Sequence, residues 1–180
     1  MRIVGGRLRH RNIQMTNLET TRETQDKVRE AIFNMVGPYF DGGICLDLFA
    51  GSGAMGIEAY SRGMECIYLN DIQPKALEVC KKNCQSLQII DVQFSNLDYQ
   101  EFIKSCKTSF DLIILDPPYK MDDIEGILSE VIHVAKENAY IVFEMSRDSN
   151  YPKKYLDLEL IKDKTYGIKR VAIYRRCCHE

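Results

Sequence analysis

The chain has 180 residues, 45% hydrophobic and 28% charged, and its 24 Lys and Arg against 26 Asp and Glu leave a formal net charge of −2. That length suits one well-buried core and is short for two domains. No apolar run nears the ~20 residues of a membrane span. The opening "MRIVGGRLRHRNIQ" lacks the apolar stretch of a signal peptide, so a cytoplasmic protein is expected.

The near-neutral total argues against coating nucleic acid along the whole surface, but the charge is uneven. Residues 1–18 hold Arg2, Arg7, Arg9, Arg11 and His10 with no acid. A basic arm over residues 1–20 suits contact with a polyanion at one place, and a solubilising terminal strand accounts for it equally well. Arg7, Arg9 and Arg11 alternate with Leu8 and His10, so in an extended strand the three guanidinium groups share a face.

The remaining residues, 21–180, read as one domain. Over 24–37, apolar residues at 28, 31, 32, 35 and 36 make a helical stripe ended by Gly37 and Pro38. Strands are expected over 44–49, 66–71, 89–94, 110–115 and 139–145. Helices fall between them, over 54–63, 74–87, 99–106 and roughly 124–136. Runs over 155–161 and 170–176 flank Gly167 with no helix between, which reads as a terminal antiparallel hairpin. The expected fold is α/β: a doubly wound, mostly parallel, seven-stranded Rossmann-like sheet with right-handed crossovers, ending in that hairpin, with a small basic N-terminal β arm. The seven cysteines are scattered through these elements as reduced thiols would be. Cys80 and Cys84 share a helix without a nearby His or Cys companion, so no metal is expected.

"LDLFAGSGAMGIEA" sets Gly51, Gly53 and Gly56 between a strand and a helix, a G-x-G-x-x-G in the context where it binds nucleotides. Twenty positions after Gly51, Asp71 ends the second strand, where a carboxylate accepts from ribose hydroxyls. These features fit NAD, FAD and S-adenosylmethionine alike. Asp47 separates them, because a carboxylate beside the loop opposes a diphosphate and favours an ammonium group. S-adenosylmethionine carries an ammonium and a sulfonium and no phosphate. Asp98, after the third strand, is either an acceptor for the adenine amino group or the N-cap of the next helix.

The fourth strand ends in "LDPPYK". Two prolines cannot continue the ladder, so 116–119 is a rigid loop at a strand's carboxyl end, where open α/β sheets bind ligands. A turn with a capping Asp is the plain alternative. With a methyl donor at the first strands, the loop gains a reason. The Asp116 carboxylate and the Pro117 carbonyl can accept the two N–H bonds of an exocyclic amine and stabilise the charge it gains. Pro118 stiffens the loop, and Tyr119 offers a face on which an unpaired base can stack.

"LDLFAGSGAMGIEAYSRG" with "DPPY" resembles the class I S-adenosylmethionine-dependent methyltransferases of exocyclic amines. With "MRIVGGRLRHRNIQ" and "TRETQDKVREAIFNM", the chain more closely resembles the RsmD-type 16S rRNA guanine-N2 methyltransferases over nearly its whole length. The resemblance implies cofactor contacts at Asp47, Phe49, Gly51, Ser52, Gly53, Asp71 and Asp98. It implies a catalytic loop at Asp116, Pro117, Pro118 and Tyr119, and rRNA contacts at Arg7, Arg9, Arg11 and Arg22. Glu23 replaces the proline usual beside Arg22 and Thr24. The implied partner is 16S rRNA or a partly assembled small ribosomal subunit, with no membrane and no metal.

Rival readings remain at this level. An adenine-N6 nucleic-acid methyltransferase uses the same loop chemistry, but a DNA enzyme that finds its own site generally needs a further recognition region. A methyltransferase of a protein amide leaves the arginine arm without a purpose. An NAD-dependent enzyme is disfavoured by Asp47. A non-catalytic RNA-binding assembly factor would have little use for an intact Asp116–Tyr119 loop.

Overall fold

The computed structural model describes residues 1–17 and 25–178. Five parallel strands, β1 (Ile44–Asp47), β2 (Cys66–Asn70), β3 (Val92–Ser95), β4 (Phe110–Leu115) and β5 (Ala135–Ser146), meet three antiparallel ones. These are β6 (Lys154–Tyr155), β7 (Leu158–Tyr166) and β8 (Lys169–Arg176). The order is β3-β2-β1-β4-β5-β8-β7-β6, so the sheet has eight strands where the sequence suggests seven. The additional strand, β6, has two residues, too short to display any alternation of its own.

Helices α1 (Asp26–Val36), α2 (Ala54–Ser61) and α3 (Pro74–Ser86) cover one face, and α4 (Tyr99–Ser105) and α5 (Ile124–Val131) the other. Strand β4 shows why its sequence, apart from the partly exposed Asp111, is apolar. Leu112 and Ile114 enter the core beneath α1–α3, while Phe110, Ile113 and Leu115 enter the core beneath α4 and α5. A strand buried on both faces has no polar side to show. Each such side chain contributes about 1.5–3 kcal/mol by leaving water.

The junction between α5 and β5 differs from expectation. The helix expected to about residue 136 stops at Val131 and passes through one 3-10 turn, Ile132–Val134, into β5. There the pairing with β4 jumps from Phe110↔Ala135 to Leu112↔Tyr140, with Asn138 bulged at φ 64°. The polar "KEN" before the apolar run reads as a helix end but is an exposed bulge. Among the described residues no helix is long and apolar enough to cross a membrane.

Residues 1–17 do not form the extended strand expected of them. Arg2 and Asn12 make an isolated antiparallel bridge, and the chain between them bends and turns, with Gly6 at φ 79° and His10 at φ 72°. Ile3 and Ile13 are buried in the α1–α3 core. Beneath the turn lies Glu58, fully buried, which accepts the Val4 N–H at 3.1 Å and pairs with Arg62 at 3.1 Å and Arg29 at 3.7 Å. The two glycines let the backbone approach: a Cβ on Gly6 would lie 1.9 Å from the Ser61 carbonyl oxygen, and one on Gly5 2.5 Å from the Arg62 guanidinium.

Candidate active site

In the sheet order β1 lies between β2 and β4, so crossovers leave it in both directions and open a crevice at the strands' carboxyl ends. A cavity of about 250 Å³ lies there, lined by Asp47, Phe49, Gly51, Asp71, Asp98, Asp116, Pro117, Pro118 and Tyr119. Residues that the sequence names as a cofactor loop and a catalytic loop thus face one space. Ser52 and Gly53, named with them, stand behind its wall. Ser52 is fully buried and its carbonyl accepts from Asn83 Nδ2 at 2.9 Å. Gly53, at φ 83°, donates its N–H to Ala50 O at 2.7 Å and caps α2. They shape the turn instead of lining the cavity.

Each acid of the first three strands is anchored by a backbone amide. Asp47 is 2% exposed, and its Oδ2 accepts the Gly56 N–H in the first turn of α2 at 3.0 Å. A residue of β1 thus caps the first turn of the helix that follows it. Asp71 accepts from Gly51 N at 2.9 Å and from Gln73 N at 2.8 Å, and burial raises its carboxyl above the ordinary range while these amides pull it back. Asp98 is the N-cap of α4, accepting from Gln100 N at 2.9 Å, and also lines the cavity. Asn70, buried at the end of β2, donates to Leu48 O and Leu97 O and accepts from Ser95 Oγ, tying three loops of the cleft together. Phe49 and Tyr99, with ring centroids 5.7 Å apart, form an apolar wall facing Ile72, which is 58% exposed.

The β4 loop is the other wall. Met121 N donates to Pro118 O at 2.8 Å and closes the turn that carries Tyr119, 40% exposed. Asp116 Oδ2 lies 3.3 Å from Lys169 Nζ, and that ammonium lies 3.4 Å from Glu144 Oε1. Burial holds the Asp116 carboxyl well above its usual range, the Glu144 charge raises it further, and Lys169 works against both. Burial alone would lower the Lys169 ammonium, but the Glu144 and Asp116 carboxylates outweigh it and the net shift is upward.

The sequence profile described as Conserved hypothetical protein 95 matches residues 1–175. The chain is 40% identical to "Putative rRNA methyltransferase YlbH" of Bacillus subtilis, covering 98% of this chain and 99% of that protein. It is 33% identical to "Ribosomal RNA small subunit methyltransferase D" of Haemophilus influenzae, over 97% and 93% of the two chains. The chain belongs to the RsmD family. The solved structure of a putative methyltransferase, yhhF from Escherichia coli, superposes with a TM-score of 0.87 over 99% of both chains at 26% identity.

On this RsmD-family frame the basic arm presents its arginines differently from the expected strand. Arg7 stacks its guanidinium 4.2 Å over the Tyr60 ring on α2, and Arg11 donates to Ser86 O at 3.2 Å at the end of α3. Arg9 N closes a turn onto Gly6 O at 3.2 Å. The three arginines are exposed but do not share one strand face. Arg22, with Glu23 and Thr24, lies outside the described residues. Sequence reasoning missed Ile72, Asn70, Tyr99, Glu144 and Lys169. An acid inside "AYIVFEM" was the one available signal, for Glu144. None of the seven cysteines forms a disulfide. Among the described residues, no group of His, Cys, Asp and Glu is arranged to hold a metal ion.

Proposed function

We propose that this chain transfers a methyl group from S-adenosylmethionine to the exocyclic N2 amine of a guanine in 16S rRNA, during assembly of the small ribosomal subunit. The observation that carries the reading is the shared cleft: a proline-stiffened carboxylate, Asp116, opens onto the same cavity as the glycine loop and its acids. Membership in a family whose relatives are named rRNA methyltransferases supports the reaction and the kind of substrate. The guanine and its N2 atom come from the resemblance of "DPPY" and the basic opening to the RsmD pattern.

The cleft's chemistry suits the methyl donor. Asp47, Asp71 and Asp98 ring the glycine loop, a set that repels diphosphate and attracts an ammonium or sulfonium. Phe49, Ile72 and Tyr99 supply an apolar slot for an adenine ring, and Asp71 retains lone pairs for ribose hydroxyls. When bound, S-adenosylmethionine supplies an electrophilic methyl group on sulfur.

The residues of the chain do the rest. An exocyclic amine is a poor nucleophile because its lone pair is delocalised into the ring. Asp116 and the Pro117 carbonyl accept its two N–H bonds, orient the nitrogen for in-line attack and stabilise the positive charge that develops there. Tyr119 stacks on the base that has left its helix. Arg7, Arg9, Arg11 and Arg22 contact rRNA phosphates. The test is transfer of labelled methyl groups to small-subunit particles that lack the modification, followed by nucleoside analysis. Label in N2-methylguanosine supports the reading. Label in N6-methyladenosine, or in protein, overturns it in favour of the corresponding rival.

A further inference from the structure

Lys169 occupies the cleft although nothing in the sequence pattern marks it. Antiparallel pairing sets Lys169 opposite Ser146 and Val171 opposite Glu144, so Lys169 and Glu144 are diagonal neighbours on one face of β5 and β8. Among the described residues that line the cavity, Lys169 is the one Lys or Arg, against Asp47, Asp71, Asp98, Asp116, Asp122 and Glu144. The Glu144 side chain is wholly buried and the Lys169 side chain 17% exposed, so the pair is set into the wall.

The chemistry assigned to Asp116 requires the carboxylate. A protonated Asp116 keeps one carbonyl acceptor but loses the negative charge that offsets the positive charge developing on the amine. The surroundings work against the charge. Asp116 faces Glu144 from β5 and Asp47 from β1, while Asp71, Asp98 and Asp122 line the same cavity with Tyr99 and Tyr119. Lys169, from β8, is the opposing charge, 3.3 Å from Asp116 Oδ2. We propose that Lys169 is a positioning residue for methyl transfer: tethered by Glu144, its ammonium holds the Asp116 carboxylate ionised and aimed at the target amine. The inference rests on the role given to Asp116 above.

The clamp predicts opposite effects from its two members. Lys169→Met removes the attraction, and Glu144→Gln removes a repulsion while leaving Lys169 to Asp116 alone. The experiment follows the Asp116 carboxyl carbon by NMR in the free protein, assigned with Asp116→Asn, across a pH titration. In parallel, the pH–rate profile of methyl transfer is recorded on unmodified small-subunit particles. Lys169→Met should move the Asp116 midpoint, and the acid limb of the rate profile, upward by about 1–3 pH units. Glu144→Gln should move both downward, and Lys169→Arg should stay near the parent. A purely structural role would not move the midpoint in two directions. Coincident midpoints in parent, Lys169→Met and Glu144→Gln overturn the clamp. Should Lys169→Met fail to fold, Lys169→Gln takes its place: an upward shift supports the clamp and an unmoved midpoint overturns it. The titration needs no substrate, so a parent protein that transfers no methyl group sinks the proposed function, whereas unmoved titrations sink the clamp.

Discussion

Asp71 Oδ2 accepts the Gly51 backbone N–H at 2.9 Å, joining the end of β2 to the first glycine of the loop after β1. The acid that the spacing assigns to a ribose thus also fixes the loop. Its second oxygen takes the Gln73 amide at 2.8 Å, so the carboxylate is oriented before any ligand arrives.

Asp71→Ala should therefore weaken S-adenosylmethionine binding by about 1–3 kcal/mol, the cost of leaving buried donors without an acceptor. Calorimetry reads this directly, with Asp71→Asn recovering part of the loss. Parent-like affinity in the Ala variant would remove Asp71 from the cofactor site.

Asp116→Ala should reduce kcat for methyl transfer by on the order of 10²–10³, the usual cost of losing one pre-organised acceptor. Cofactor affinity should stay within a few fold, because the role assigned to this acid is toward the amine. Near-normal turnover would exclude Asp116 from the mechanism.

Glu58 lies fully buried between Arg29 and Arg62 and under the Val4 amide. Glu58→Ala leaves the buried Arg62 guanidinium without its carboxylate and Arg29 with Asp26 in place of two acids, and should destabilise the fold by about 3–5 kcal/mol. Urea unfolding measures the loss, and protease susceptibility of residues 1–17 should rise with it. A loss under about 1 kcal/mol, within the range of exposed ion pairs, would contradict the arrangement.

The arm's arginines are predicted to act through phosphates. Replacing Arg7, Arg9 and Arg11 together by Ala should leave S-adenosylmethionine binding intact and weaken binding to small-subunit particles. The slope of log K against log[salt] should become shallower by about 2, at ~0.7 per phosphate on single strands. An unchanged slope would assign these side chains to Tyr60 and Ser86, their partners in the fold, and not to RNA.

The central parallel strands were legible because they are buried on both faces, whereas the edge strand β3, with no buried residue, starts three residues later than expected. The expected bounds of β4 coincide with the observed Phe110–Leu115. The hairpin was harder: β7 extends through "IKDKTY", largely exposed, where pairing with β8 and not burial makes the strand. The arm was misread because alternation of Arg with Leu8 and His10 imitates a strand, while Gly5 and Gly6 were the signal for the turn. The glycine loop and "DPPY" were visible since each is contiguous. Lys169 and Glu144 come from β8 and β5 and Asp116 from the loop after β4, and they meet only through sheet order and register, which no local pattern records.

The most direct measurement is single-turnover transfer from labelled S-adenosylmethionine to unmodified small-subunit particles, with the labelled nucleoside identified after digestion. Stoichiometric label in N2-methylguanosine with the parent protein, and its loss with Asp116→Ala, is the predicted result. Label in any other nucleoside, or equal transfer by both proteins, would contradict it.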